Sequence, residues 1–486
     1  MRRGAFRRTA AGMTSNPETG HSHAPRGSLK RRLVSGGAWT LANRLVVLLT
    51  QLASLAIMAR LLPPAEMGIF FIASNLAAVV TVVSQLGLTQ SVVRLIAEAL
   101  ALNQPGRARQ AIVKVLTMGG ASAVVVGLLM AVGLGQWLAK AVFDSPAMAA
   151  LSFWIALWIV FQTLQRFLDE TFRGLHDLRL AAIFGGIVTG MLMVVFLGIL
   201  WLVKGHADLE IVLALQALTF GIGVLLAGLV LMKKLRTLRG EGTVSYSEIH
   251  HLSWPLFMAS LTNIILLRAD LWILGMFVPD HDVAIYGGAA RIINVVTIPL
   301  VMASAILAPM IAELNAQGQK ERMERVLRAV ATVGGLPAIA VILFFVLFGG
   351  PLLELLYGDP LYRAGWPVLV FLGLGQLVNV WSGVCIQVLM MTGHQKAVMN
   401  LTLVTSLLTI LGAVAAVQFF GYVGVAAAFG LGIAVQNFAM VAHSRRALGV
   451  KSYMLANPLA LRGYLAEFRE AARQRREARL AAREEN

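Results

Sequence analysis

The chain is poor in cysteine and in charge. Only 13% of its 486 residues are charged, and Cys385 is its single cysteine. Soluble domains carry roughly 25% charged residues. One thiol excludes an intramolecular disulfide and a cysteine metal cluster. The sequence also lacks a glycine-rich phosphate loop, and its histidines have no ligand partner at metal-binding spacing, so it predicts no ATP hydrolysis, metal, cofactor or catalytic residue.

Long apolar runs take the place of these features. Hydrophobic residues make up 58% of the chain, and stretches such as 192–200 and 339–348 are continuously apolar. Continuous runs exclude the alternating strands of a membrane barrel, and each span needs about 20 residues. The sequence therefore predicts an all-α polytopic membrane protein with about 12 transmembrane helices. The predicted spans are 37–59, 68–97, 111–135, 147–170, 180–203, 209–232, 253–278, 283–311, 327–350, 364–391, 397–420 and 422–444.

The basic residues predict the orientation of these helices. The chain has 41 Lys and Arg and a net charge of +17. With twelve spans, nearly all of the basic residues outside the helices fall on one side, which the positive-inside rule assigns to the cytoplasm together with both termini. The other side collects only Arg60, Lys140, Lys204 and Arg363. The expected partner of the charge is therefore the anionic membrane surface, and no nucleic acid is expected.

The sequence repeats itself about halfway. The segment 63–70 resembles 279–286, and 143–146 resembles 357–360. Because about 215 residues and six spans separate the copies, the halves are predicted to be parallel repeats with a cavity between two lobes. The predicted divisions are a basic cytoplasmic tail, an N-lobe, a cytoplasmic linker, a C-lobe and a charged cytoplasmic tail, at 1–35, 36–232, 233–252, 253–446 and 447–486.

Polar residues inside the predicted spans mark the cavity. Asn43, Arg44 and Gln51 share one face of the first helix, together with three hydroxyl residues. Gln85 lies on a polar face of the second helix. Such faces either line a wet cavity or form hydrogen bonds between helices, and Arg44 favours the cavity.

The second half adds charged groups. Arg268 and Asp270 lie on the seventh helix and Arg291 on the eighth. Together with Arg44, these arginines make three against one aspartate, a positive bias of the interior that suits an anionic substrate, because guanidinium groups bind phosphate oxygens bidentately. Asp270 is a candidate for a coupling ion, with pairing to Arg291 as the alternative.

The fourth helix has a similar polar face. Arg166 and Asp169 lie on it, and they are candidates either for the cavity or for ion pairs with Glu170 and Arg173 at i, i+4 spacing. The ion-pair interpretation is the preferred one.

Several motifs resemble one family. The segment 59–70 followed by Gln85-Leu-Gly-Leu88, the pattern Arg268-Ala-Asp270, and 285–291 with Ala308-Pro309 resemble the polysaccharide flippases of the multidrug/oligosaccharidyl-lipid/polysaccharide superfamily. The resemblance implies a V-shaped cavity like that of the MATE transporters. It also implies flipping of an undecaprenyl-pyrophosphate-linked oligosaccharide across the bacterial inner membrane, for exopolysaccharide or O-antigen synthesis.

The resemblance also implies binding of the pyrophosphate by Arg44, Arg268 and Arg291. Coupling to Na⁺, H⁺ or the membrane potential stays open. Polysaccharide polymerase or export machinery is the implied protein partner. The alternatives are a cation-coupled multidrug antiporter, which needs acidic cavity residues, and a membrane-embedded glycosyltransferase or polymerase, which needs a large external loop.

Overall fold

The computed structural model describes residues 45–455, and every regular element in that range is helical. The predicted basic tail, Asn43 and Arg44 lie outside the described residues, as does most of the predicted C-terminal tail. We label the membrane helices in chain order from α1 to α12. The N-lobe helices α1 to α6 are, in order, Leu45–Leu61, Pro64–Gln85, Pro105–Ala141, Ser152–Gly174, Leu178–Lys204 and Leu209–Leu235. Helix α7 is Tyr246–Phe277, α8 is Asp280–Ile293 continued by Ile298–Ala316, and α9 is Lys320–Tyr357. Helix α10 is Pro360–Ser382 continued by Cys385–Met391, and α11 and α12 are 395–420 and 422–448.

The prediction of about twelve spans is confirmed within 45–455. Eight helices are long and apolar enough to cross a membrane, and α1 is a shorter apolar helix. The longest of the eight, Gln395–Leu448, has a non-helical Gly421 in its middle and so supplies both α11 and α12. The two others are α4, which carries Arg166 and Asp169, and α8, which a 3-10 turn divides at Asn294–Thr297.

Helix α7 begins earlier than its apolar residues predict. It starts at Tyr246, so the irregular segment after α6 covers 236–245 and is narrower than the predicted linker 233–252. The polar first turns of α7 are stabilised by α3, where Arg107 forms a 2.7 Å ion pair with Glu248. The early start of α7 therefore depends on a tertiary contact, which the hydropathy of the sequence does not reveal.

The two repeats are visible in backbone geometry. Helices α2 and α8 both follow a proline, Pro63 and Pro279, whose φ and ψ angles agree within 2° (−59°, 151° and −61°, 153°). Phe71 and Gly287 occupy equivalent positions in the repeats, and a Cβ added at Gly287 would lie 2.5 Å from the Phe71 ring. The equivalent residues thus meet where the N-lobe (α1–α6) joins the C-lobe (α7–α12).

The lobes are joined closely at one end of the bundle. We call the end that holds residues 236–245 the linker side and the other end the far side. On the far side, Arg60 donates hydrogen bonds to the carbonyl oxygens of Leu355 and Leu356 at 2.9 and 2.8 Å. A Cβ added at Gly68 would lie only 1.8 Å from the carbonyl oxygen of Asp280. Main chain therefore packs against main chain there.

The chain after α12 returns to the C-lobe. Residues 449–455, which we call the strap, belong to the tail predicted at 447–486, yet several of them are buried. The Met454 N–H donates to the Trp381 carbonyl at 2.9 Å, and the Tyr453 ring stacks on the Trp381 ring with centroids 5.1 Å apart. The strap thus supplies a hydrogen bond to a carbonyl near the break in α10.

Candidate functional site

A cavity of about 470 Å³ lies between the two lobes. Five N-lobe helices, α1, α2, α4, α5 and α6, form most of its wall, and α7 and α8 of the C-lobe contribute one arginine each. Its volume is within the range of small-molecule sites. The polar and charged lining residues are Thr50, Gln51, Ser54, Ser74, Gln162, Gln165, Arg166, Asp169, Thr189, Gln216, Arg268 and Arg291.

Arg268 and Arg291 stand on the C-lobe wall of the cavity. Among the described residues, the Arg268 side chain has no hydrogen bond or ion pair, and its Nε is buried without a partner. Arg291 donates to the Ser74 hydroxyl at 3.1 Å, and its guanidinium lies 5.0 Å from the centroid of the Phe71 ring. Neither arginine therefore forms an ion pair with a carboxylate among the described residues.

The predicted pairing of Arg291 with Asp270 is wrong. Asp270 instead accepts a hydrogen bond from the Tyr286 hydroxyl at 3.2 Å. Tyr286 and Arg291 are five residues apart on α8, which places them about 140° apart around the helix. Tyr286 therefore contacts α7 while Arg291 contacts α2. Asp270 does not line the cavity, and its role in coupling stays a prediction.

Of the two ion pairs predicted on α4, the pair of Asp169 with Arg173 forms and the pair of Arg166 with Glu170 does not. Arg173 contacts Asp169 at 3.5 Å and Glu170 at 3.6 Å. Arg166 lines the cavity and makes no hydrogen bond or ion pair among the described residues. It is a third arginine of the cavity.

The polar face of α1 also lines the cavity where the structure describes it. Gln51 is a lining residue together with Thr50 and Ser54. Gln85 is not: it lies at the linker-side end of α2 and accepts a hydrogen bond from Thr89 at 3.3 Å. Asn43 and Arg44 lie outside the described residues.

Sequence reasoning missed the contribution of α5. A π-helical turn interrupts α5 at Ile183–Ile187, and Gly186 within it is non-helical. Gln165 donates its side-chain amide to the Phe184 carbonyl, and a Cβ at Gly185 would lie 2.8 Å from both carboxylate oxygens of Asp169. π-bulges are frequent at functional sites. In the sequence, the adjacent glycines Gly185 and Gly186 were the signal that could have indicated this turn.

Two family models match the sequence. One, described as "Polysaccharide biosynthesis protein", matches residues 33–315, and the other, MatE, matches residues 255–415. No curated protein sequence matches the chain.

Solved transporter structures share the fold. An inward-facing multidrug resistance MATE transporter superposes with a TM-score of 0.70 at 14% identity, covering 83% of this chain and 94% of that one. The lipid II flippase MurJ gives 0.63 at 11% identity, covering 85% and 87%. A transporter from Pyrococcus furiosus, described as having a binding pocket of reverse polarity, gives 0.58 at 15% identity, covering 88% and 95%.

These likenesses confirm the predicted fold class, two six-helix lobes with a MATE-like cavity. The prediction of a transporter rather than an enzyme agrees with these matches. The first match spans more than half of the chain. The chain therefore belongs to the family described as polysaccharide biosynthesis proteins, and it shares its fold with transporters of the multidrug/oligosaccharidyl-lipid/polysaccharide superfamily.

Proposed function

We propose that this protein flips an undecaprenyl-pyrophosphate-linked oligosaccharide from the inner to the outer leaflet of the bacterial cytoplasmic membrane. The observation that carries the proposal is the pair of guanidinium groups on the C-lobe wall. Neither Arg268 nor Arg291 has a carboxylate partner among the described residues. Pyrophosphate oxygens are the natural counter-charge for such groups.

The charge of the whole cavity supports the same substrate. Three arginines line it and Asp169 is its only lining carboxylate among the described residues. One oxygen of Asp169 is already engaged by Arg173. A cavity of this kind attracts an anion and repels the cationic drugs of a multidrug antiporter.

The proposed transport cycle is alternating access. The far side is closed by the α1–α9 and α2–α8 contacts, so the head group enters from the linker side, which we assign to the cytoplasm. The isoprenoid chain stays in the bilayer while the lobes rock and expose the head group outside. Polysaccharide polymerase or export machinery then takes the product. Asp270 is our candidate for binding a coupling Na⁺ or H⁺.

The test is complementation of a deletion strain. We expect lipid-linked oligosaccharide to accumulate in the inner leaflet, and the wild-type gene to restore its transfer. Arg268→Gln and Arg291→Gln should each reduce flipping by about tenfold or more, since each removes a charge-assisted hydrogen bond to phosphate. Arg94→Gln is the matched control, because Arg94 pairs with Glu98 on the exposed surface.

Full rescue by a variant with glutamine at Arg166, Arg268 and Arg291 would exclude pyrophosphate recognition by this cavity. The second candidate function is a cation-coupled multidrug antiporter, and the MatE match over 255–415 favours it. An antiporter predicts drug sensitivity on deletion with no change in lipid-linked oligosaccharide.

A further inference from the structure

The two walls of the cavity differ in chemistry. The C-lobe wall carries Arg268 and Arg291, whereas the N-lobe wall has one arginine, Arg166, and one carboxylate, Asp169, among many amides and hydroxyls. Amides offer donors and acceptors together, and hydroxyls do the same. Such a surface matches a ligand that is itself rich in neutral hydroxyl groups. The neutral polar residues of the N-lobe wall are Thr50, Gln51, Ser54, Ser74, Gln162, Gln165, Thr189 and Gln216.

Three cavity-lining residues of α4 each have a buried polar atom with no hydrogen-bond partner in the described part of the chain. These atoms are Nε1 of Trp158, Oε1 of Gln165 and Oδ1 of Asp169. All three residues line the cavity, and their exposed fractions are 4%, 4% and 1%. Buried polar atoms are nearly always paired. One donor and two acceptors left open along one cavity wall therefore point to a ligand.

The spacing of these residues puts them on one face of α4. Trp158, Gln162, Gln165 and Asp169 follow one another at three- and four-residue intervals, so they form a row along about 16 Å of helix. Gln162 accepts a hydrogen bond from Thr81 at 2.9 Å through Oε1, which leaves its amide hydrogens available. We call this row the α4 polar row.

An aromatic surface adjoins one end of the row. The Trp158 ring stacks on Phe70 with centroids 6.0 Å apart and an interplanar angle of 6°, and Phe220 also lines the cavity. Sugar rings present C–H groups on their faces and hydroxyls at their edges, so they suit an aromatic surface beside amides. Phosphate suits the arginines on the opposite wall better.

We propose that the α4 polar row, together with Gln216 of α6, binds the neutral sugars of the lipid-linked glycan while Arg268 and Arg291 hold its pyrophosphate. This inference rests on the proposed function and divides the same cavity into a glycan subsite and a phosphate subsite. Each subsite belongs to a different lobe.

The test separates the two subsites by using two lipids. Purified full-length protein is titrated with undecaprenyl pyrophosphate, which has no sugar, and with lipid-linked oligosaccharide extracted from the deletion strain. The double variant Gln162→Leu/Gln216→Leu should bind the oligosaccharide lipid about tenfold more weakly and undecaprenyl pyrophosphate within about twofold of wild type. Arg268→Gln should weaken both lipids.

Two further variants keep the test independent of folding defects. Trp158→Phe removes only the Nε1 donor and preserves an aromatic ring against Phe70, and it should reproduce the selective loss. Gln436→Leu is the matched control, because Gln436 is an amide in α12 that bonds to Thr402 and does not line the cavity.

The outcomes distinguish the two proposals. If the α4 and α6 variants weaken both lipids equally, or weaken neither, the glycan subsite is wrong and the flippase proposal is untouched. If Arg268→Gln and Arg291→Gln leave both affinities unchanged, the pyrophosphate proposal itself fails.

Discussion

Replacing Gly68 with alanine should force the lobes apart on the far side. The added Cβ would lie 1.8 Å from the carbonyl oxygen of Asp280, whereas non-bonded atoms pack at about 3.5 Å. The two backbones must therefore separate by more than about 1.5 Å. Overpacking of this kind costs about 1–3 kcal/mol. Only the conformation in which α2 packs against α8 bears that cost. The equilibrium between the far-side-closed and far-side-open conformations should therefore shift about 5- to 150-fold toward the open one.

Distances between spin labels measure this shift directly. Labels at Lys204→Cys and Leu355→Cys, in a Cys385→Ser background, report the far-side separation of the lobes. In Gly68→Ala the population at long distance should rise, and Gly198→Ala is the matched control because its Cβ would meet nothing within 4 Å. Identical distance distributions in the two glycine variants would refute the reasoning that this backbone contact holds the far side closed.

Three further predictions concern other parts of the molecule. Asp270→Asn should keep the fold but lower flipping by about tenfold or more if this carboxylate couples transport to an ion, and transport assayed with and without Na⁺ and pH gradients will show whether the gradient dependence is lost. Tyr453→Ala should release the strap, which we expect to be detected as faster maleimide labelling of buried Cys385 and a lower Tm, since ring stacking of this kind contributes about 0.5–1.5 kcal/mol. Gly185→Ala should displace the Asp169 carboxylate and weaken glycan-bearing lipid about three- to tenfold, with undecaprenyl pyrophosphate binding as the internal control.

The sequence predicted the features that follow from local rules. Apolar runs predicted the number of spans, and the repeated segments at Pro63 and Pro279 predicted that α2 and α8 are equivalent, although these helices begin at Pro64 and Asp280 rather than at 68 and 283. Helical phase placed Gln51 on the polar face that lines the cavity. These features depend on one helix at a time, or on a direct comparison of the two halves.

Contacts between helices could not be predicted in the same way. Phase shows which face a residue occupies but not which neighbour that face meets, so Arg291 was the alternative partner considered for Asp270, whereas Tyr286 bonds to it. Gln85 has the right phase but lies too close to the linker side. The narrower linker and the buried strap escaped prediction because tertiary packing, rather than hydropathy, determines both.

Because the cavity is divided between the two lobes, binding of the proposed substrate can drive the conformational change. Arg291 and Arg268 belong to the C-lobe, while the α4 polar row belongs to the N-lobe. A head group that contacts both walls binds best when the two walls face each other across one cavity, and rocking of the lobes changes that distance. A ligand shifts a conformational equilibrium only through its differential affinity for the two states. We therefore expect the oligosaccharide lipid to change the far-side label distances more than undecaprenyl pyrophosphate does, because only the former spans both walls. Equal responses to the two lipids would place the whole driving interaction on the arginines.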